Sequence, residues 1–378
     1  MVDFFNIKNN LNIKTRESGV ELLRILSMFF VIIIHEIFYF LPSDNLFVVI
    51  GRVISWPAIF CFAFITGYFL ILKNDQGSKI KRFLFLTLEI VIWRILISLI
   101  YLIAASFIAH DSVANFFYDF FVNVIIDLIS PNFWYFWAII FVYLIFPFFA
   151  SFLDKNYKNG KQLLKWILWF FFMITIIATL GHALIKVIHY NFSAYTDWAT
   201  FGIVMFPAVL GGYWHLIEQE KRWEYNSKMQ LYGVLGLVIV YLINFSWEWW
   251  MKDGGTARTY LNPLWTLAGW FYFLIFKGFK FHNKFINWWS DLSWWIYVLH
   301  QGFIYLWAST LMSYTNLDNY SRTILTILIC YFLTIILVLA TQNFDRFIFK
   351  PFIWEKWKKW FKTINEKRNQ QLELKKEK

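Results

Sequence analysis

The chain has 378 residues, of which 59% are hydrophobic and 16% charged, and its formal net charge is +11. Soluble domains sit at roughly half apolar and a quarter charged, and here the apolar residues gather in runs longer than the roughly 18 residues that mark a bilayer span. That pattern excludes a soluble globular domain. It also argues against a nucleic-acid reader, because the basic residues fall in short loops and a tail with no recognisable reading module.

Taken in chain order, the first 19 residues are polar and mixed, and the first apolar run is too long for the core of a cleavable signal, so it reads as a retained helix. Ten spans are predicted: 20–40, 46–72, 83–109, 132–152, 163–185, 199–217, 229–246, 260–277, 293–313 and 322–344. The runs are continuously apolar and do not alternate, so an all-α bundle is expected rather than a barrel. Residues 113–130, which carry Asp119 and Asp127 among apolar neighbours, read as an amphipathic helix at the surface or against the bundle. After Arg346 the chain alternates Trp354, Trp357 and Trp360 with Lys356, Lys358 and Lys359, a pattern suited to an anionic leaflet. Two regions result: a transmembrane domain over 1–345 and a basic, Trp-rich tail over 346–378. There is no internal repeat. Cys61 and Cys330 both fall within spans, which argues against a structural disulfide and against a zinc site.

Charge tests the span order. With both termini and the even-numbered loops on one side, 28 of the 35 Lys and Arg residues lie there, and only Lys186, Lys252, Arg258 and Arg322 lie in the opposite loops. The other three, Arg24, Arg52 and Arg94, are inside spans. The positive-inside rule then expects cytoplasmic N- and C-termini. Richness in Ile, Asn, Lys and Phe points to an AT-rich bacterial genome, and the expected location is a bacterial plasma membrane.

Charged groups within spans carry the functional expectation, because they are costly there. Arg24 and His35 are eleven residues apart, which is three helical turns plus about 20°, so they share one face about 16 Å apart along the axis. Glu21, three residues before Arg24, is placed to pair with it. Glu36 lies about 100° round from His35 and is expected to face elsewhere or to pair with another helix. The plainer readings stay open beside this one: Arg24 reaching the headgroups, and His35 bonding a neighbouring helix. Glu89 and Arg94, five apart in the third span, suit structural pairing with other helices better than pairing with each other. Arg52 is expected near the outer headgroups. His300 reads equally as packing or as site. Trp134, Tyr135 and Trp137 suit an interfacial aromatic belt as well as a sugar wall.

Four segments in order resemble the acyltransferase-3 family of membrane O-acyltransferases. Arg24-x10-His35, inside ELLRILSMFFVIIIH, is similar to the family's N-terminal signature. Trp56-Pro57 through Thr66-Gly67-Tyr68 is similar to its second-helix ending, with Thr in place of Ser. Asn132-Phe-Trp134-Tyr135-Phe-Trp137, followed by Tyr143 and Pro147, resembles its His-x-Trp segment, and Ser293-Trp-Trp-Ile-Tyr297-Val-Leu-His300 resembles its Ser-x-x-Ile-Tyr-Leu-x-His segment. The likeness runs over residues 16–345. It departs at Asn132, where the family often has His, so that position is not carried over as catalytic.

The resemblance implies transfer of an acyl group, usually acetyl from acetyl-CoA, onto a hydroxyl of a cell-surface carbohydrate or its lipid-linked precursor, with no metal. On that reading His35 and Glu36 are the candidate catalytic residues, with His35 as the base that takes the hydroxyl proton. Arg24, Lys81 and Arg82 are the candidates for the phosphates of CoA. Trp134, Tyr135, Tyr297 and His300 are the candidates for the sugar. Glu21, Glu89 and Arg94 are expected to pair structurally. The bilayer and a carbohydrate acceptor are the expected partners, and the oligomeric state stays open. The competing reading is a transporter or flippase for a lipid-linked saccharide. It would also need buried charges and aromatic walls, but transporters often carry repeats and broken helices, and here only Gly211-Gly212 forms a glycine pair within a span.

Overall fold

A computed structural model describes residues 16–71 apart from 38, 134–188, 199–251, 262–300 and 312–344 apart from 313, with a few isolated positions elsewhere. Among the described residues all regular structure is helical: α1 Ser18–Glu36, α2 Leu46–Ser55, α3 Pro57–Leu70, α4 Trp134–Lys155, α5 Tyr157–Ile188, α6 Ala199–Lys221, α7 Ser227–Met251, α8 Pro263–Lys277, α9 Lys284–Leu299 and α10 Asn319–Phe344. Eight of the ten predicted spans fall on these helices, with α2 and α3 together forming the second; of the ninth, 293–313, residues 293–299 lie on α9, which begins nine residues earlier, and 301–311 are outside the described residues. The third span, the surface helix over 113–130 and the basic tail lie outside the described residues. Six stretches are long and apolar enough to cross a bilayer: α1, α2 with α3, α4, α5, α7 and α10. Helices α8 and α9 have 15 and 16 residues, about 23 Å at ~1.5 Å per residue. Helix α6 carries Glu218, Glu220 and Lys221 in its last turn.

Short polar residues start the helices. Asn45, Asn156, Asn226, Asn262, Asn283 and Asp318 each accept from a backbone N–H of the first turn of α2, α5, α7, α8, α9 and α10. Such caps satisfy donors that have no partner inside the helix. Pro57 separates α2 from α3. It occupies the first position of α3, where its missing N–H costs nothing, and Trp56 keeps helical dihedrals across the junction. The two pieces therefore run on as one bent span.

Polar contacts sort the helix ends into two levels. At the level where α1 begins, here the lower end, Tyr68 of α3 donates to Glu218 of α6 (2.6 Å), Lys277 of α8 pairs with Glu17 (2.7 Å), and Lys161 of α5 pairs with Glu220 of α6. At the upper end Asn45 donates to the Tyr320 hydroxyl (2.9 Å), and Asn262 donates to Asn244 of α7 (2.7 Å). Arg52 also belongs to the upper half, and it corrects the expectation of a headgroup contact. It is 1% exposed, lies 3.4 Å from Glu248 of α7 and donates to the Ser43 carbonyl at 3.1 Å. A cation at that depth is costly, and a carboxylate on the facing helix neutralises it without any reach toward lipid.

Helices α1 and α3 form the centre, while α5 and α7 present apolar side chains outward, among them Trp166, Ile177, Ile239 and Leu242. In water such faces would drive aggregation; lipid covers them. Because lipid is as apolar as leucine, helices hold together by close packing and polar contacts. The tightest approach is α3 on α6. A Cβ on Gly67 would overlap the Ala208 carbonyl oxygen, and one on Gly211 would overlap the Phe64 carbonyl oxygen.

The register of α1 against α9 sets up the candidate site. Ser18 accepts from the Asn283 backbone N–H (2.7 Å) and donates to the Asn287 side chain (2.8 Å). The two helices thus rise in parallel from a common floor. His35 is 17 residues above Ser18, and His300 is 17 above Asn283. At ~1.5 Å per residue both climb about 25 Å and arrive at one height.

Candidate active site

At that height the His35 and His300 rings face each other with centroids 5.2 Å apart. The Tyr297 ring lies 5.7 Å from His300, and Tyr135 of α4 lies 5.3 Å from Tyr297, edge to face. Three segments that sequence reading could only place on separate spans therefore converge: α1 brings His35, α9 brings Tyr297 and His300, and α4 brings Tyr135. His35 is half-buried, whereas Tyr135, Tyr297 and His300 are buried.

The tautomer of His300 follows from its neighbours. Its Nδ1 lies 2.7 Å from the Tyr297 carbonyl oxygen and 3.2 Å from that of Ile296. Carbonyl oxygens only accept, so Nδ1 carries the proton, and in the neutral ring Nε2 holds the lone pair. Glu36 is fully buried on a different side of α1, where it faces the Cys330 thiol of α10. Both cysteines are buried and free.

A second cluster lies at the lower end of the same helix. The Glu21 carboxylate accepts from Arg24 Nη1 at 3.0 and 2.9 Å, from Arg16 at 2.7 and 3.0 Å, and from the Ser290 hydroxyl of α9. Arg16 also reaches Asp291 at 2.7 Å. Burial opposes the Arg16 charge, but its bonds to Asp291 and Glu21 outweigh that and raise its proton affinity above the ordinary arginine value. The Arg24 guanidinium lies 5.6 Å over the Phe69 ring. Among the described residues its bonds to Glu21 use only Nη1, leaving Nε and Nη2 as donors for an anion.

The Glu21–Arg24 pair expected from their spacing is therefore present. Arg16 and Ser290 were not expected. Arg16 approaches Glu21 from a non-helical entry five residues away, and Ser290 comes from 269 residues away, so helical periodicity links neither of them to Glu21. Lys81, Arg82, Glu89 and Arg94 lie outside the described residues, as do Asn132 and the Trp134 side chain. Among the described residues there is no group of three His, Cys, Asp or Glu side chains that could hold a metal.

The arrangement offers a histidine pair, His300 buried and His35 half-buried, with aromatic walls at one level and a cationic cluster about 16 Å below on the same helix. It is the layout needed where a neutral base meets an acceptor inside a dry site while an anionic portion of a second molecule is held nearer the surface. The family model described as an acyltransferase domain matches residues 17–342. No significant match was found to a curated protein or to a solved structure.

Proposed function

Because the chain belongs to the acyltransferase-3 family of multi-pass membrane acyltransferases, we propose that it moves an acetyl group from acetyl-CoA to a hydroxyl of a cell-surface polysaccharide or its lipid-linked precursor in a bacterial plasma membrane. The observation that carries this reading is the meeting of His35 with His300, Tyr297 and Tyr135 above the Arg24 cluster. The available guanidinium donors of Arg24 fit a phosphate-bearing donor, because a guanidinium fork matches phosphate geometry. Acetyl-CoA, when bound, supplies an acetyl group already activated as a thioester. His35 takes the proton from the acceptor hydroxyl as its oxygen becomes the nucleophile, and returns a proton to the departing sulfur. Tyr135 and Tyr297 shape the acceptor side and exclude water, and Glu21 aims Arg24. With both termini cytoplasmic, the Arg24 level faces the cytoplasm, where the donor is made. Family membership favours transfer over transport of a saccharide.

The test is acetyl content of the purified surface polymer, measured by NMR, in cells making wild type, His35→Ala or His35→Gln at equal membrane abundance. Removal of a positioned base costs about 10²–10⁴-fold, so both variants are expected to leave the polymer unmodified. Gln keeps size and hydrogen bonding but relays no proton at neutral pH. Substantial acetylation with His35→Gln would reject His35 as the base.

A further inference from the structure

Helix α5 has 32 residues, about 48 Å at ~1.5 Å per residue, whereas the hydrocarbon core of a bilayer is roughly 30 Å thick. Its polar first turns, with Lys158, Lys161 and Lys165, therefore stand outside that core. Tertiary contacts divide the three lysines. Lys161 pairs with Glu220 of α6, and the same carboxylate accepts from the Tyr157 hydroxyl at 3.1 Å. Lys158 and Lys165 are exposed and make no hydrogen bond or ion pair among the described residues.

These two lysines share one helix face, because seven residues is two turns less about 20°, and they are about 10 Å apart along the axis. Gln162 lies between them on that face and is also exposed. The flexible four-carbon stem of lysine lets its ammonium reach along a helix. Lys158 from below and Lys165 from above can therefore meet one anion at the level of Gln162, whose amide adds a donor. The face then changes character. Trp166 and Trp169 follow, both exposed, and indoles favour the boundary between headgroups and hydrocarbon. Beyond Trp169 the exposed side chains are apolar as far as Leu180: Phe170, Met173, Ile177 and Leu180 itself. That stretch rises about 16 Å, close to the depth of one leaflet's hydrocarbon. The order is not repeated on α7, the other outward-facing helix, which carries Lys228 and no other Lys or Arg in 25 residues. Between these two lipid-facing helices the cationic step belongs to α5.

We propose that this face of α5 binds one anionic phospholipid, phosphatidylglycerol, with its phosphodiester between Lys158 and Lys165 and an acyl chain along Met173, Ile177 and Leu180. A lipid with one phosphodiester fits better than one with two, because the lysines are stacked along the helix axis and converge on a single level. The tie from Lys161 and Tyr157 to Glu220 holds the same turns against α6, so the bound lipid braces an existing helix contact. None of this depends on the acyl-transfer reading.

The full chain, in a neutral detergent and with no acyl donor present, is titrated with phosphatidylglycerol or with phosphatidylcholine of the same acyl chains, and bound lipid is counted by native mass spectrometry. One phosphatidylglycerol is expected to bind about tenfold or more tighter than phosphatidylcholine. Lys158→Gln and Lys165→Gln are each expected to raise its Kd about fivefold, the effect of one basic side chain on an anionic lipid, and Lys228→Gln to leave it unchanged. All three lysines are exposed, and equal thermal midpoints in phosphatidylcholine verify that the variants keep the fold. Phosphatidylglycerol should raise the midpoint of the wild type and raise that of Lys165→Gln less. Equal affinity for the two lipids overturns the proposal. So does an equal loss in Lys228→Gln, which is the mark of diffuse attraction to the whole rim. Cardiolipin bound about tenfold or more tighter than phosphatidylglycerol overturns the single-phosphodiester assignment. Glycerol 3-phosphate competing as well as the lipid overturns a lipid occupant in favour of a free phosphate.

Discussion

A histidine buried on an apolar helix is most often a packing residue with one satisfied nitrogen, and His300 alone would fit that description. What changes its standing is the combination of a fixed tautomer and a second imidazole. Nδ1 is committed to the Tyr297 carbonyl, so Nε2 is the nitrogen that carries the lone pair of the neutral ring, and the His35 ring lies 5.2 Å away. This assignment predicts different outcomes for two substitutions of similar size. Asn places an amide near the former Nδ1 and preserves the bond to the Tyr297 carbonyl, but has nothing at Nε2. His300→Asn is therefore expected to fold and insert normally and to lose activity about 10²-fold or more, read as polymer acetylation at equal abundance. Activity close to wild type would return His300 to packing. Arg24 teaches the converse lesson. Its spacing from His35 and Glu21 was legible because all three lie on one helix, whereas Arg16 and Ser290, which complete the Glu21 cluster, come from an irregular entry and from a distant helix.

At the scale of elements, the decisive contacts are made by small residues. Helices α3 and α6 meet backbone to backbone where Gly67 and Gly211 face the Ala208 and Phe64 carbonyls. Gly67 sits in the Thr66-Gly67-Tyr68 segment that the sequence comparison singled out, and its physical reason is space rather than chemistry. Gly211→Ala forces a methyl group onto a carbonyl, and overpacking of this kind costs typically 1–3 kcal/mol. The expected result is a lowered thermal midpoint in detergent with unchanged membrane insertion, measured by intrinsic tryptophan fluorescence. An unchanged midpoint would mean that α3 and α6 separate at no cost. The same closeness places Tyr68 of α3 within 2.6 Å of Glu218 on α6, so packing at the glycines and this polar contact at the lower end are parts of one interface. The broken α2–α3 span shows how local sequence governs an element: Pro57 ends one helix and begins the next, and Asn45 caps the first of them.

At the scale of the whole molecule, the alternation of basic loops expects the lower end in the cytoplasm. A cysteine introduced at Asn316, exposed before α10, should react with an impermeant maleimide added outside intact cells, and one at Asn159, exposed at the start of α5, should not. The native Cys61 and Cys330 are buried and leave the background low. Reaction at Asn159 alone, or at both, would invert or break the expected topology. Helical class, membrane location and the shared face of Glu21, Arg24 and His35 could be read from the amino-acid order, because bilayer solvation and the 3.6-residue period act on contiguous runs. Tertiary structure alone decided that His35 meets His300 across 265 residues of chain, that Arg52 pairs with Glu248 inside the bundle rather than with headgroups, and that Glu220 takes Lys161 and leaves Lys158 and Lys165 exposed on α5. The physical reason is that lipid, being uniformly apolar, orders helices by no periodic signal; which helix faces which is set by individual polar bonds and glycine contacts such as Ser18–Asn283 and Gly211–Phe64.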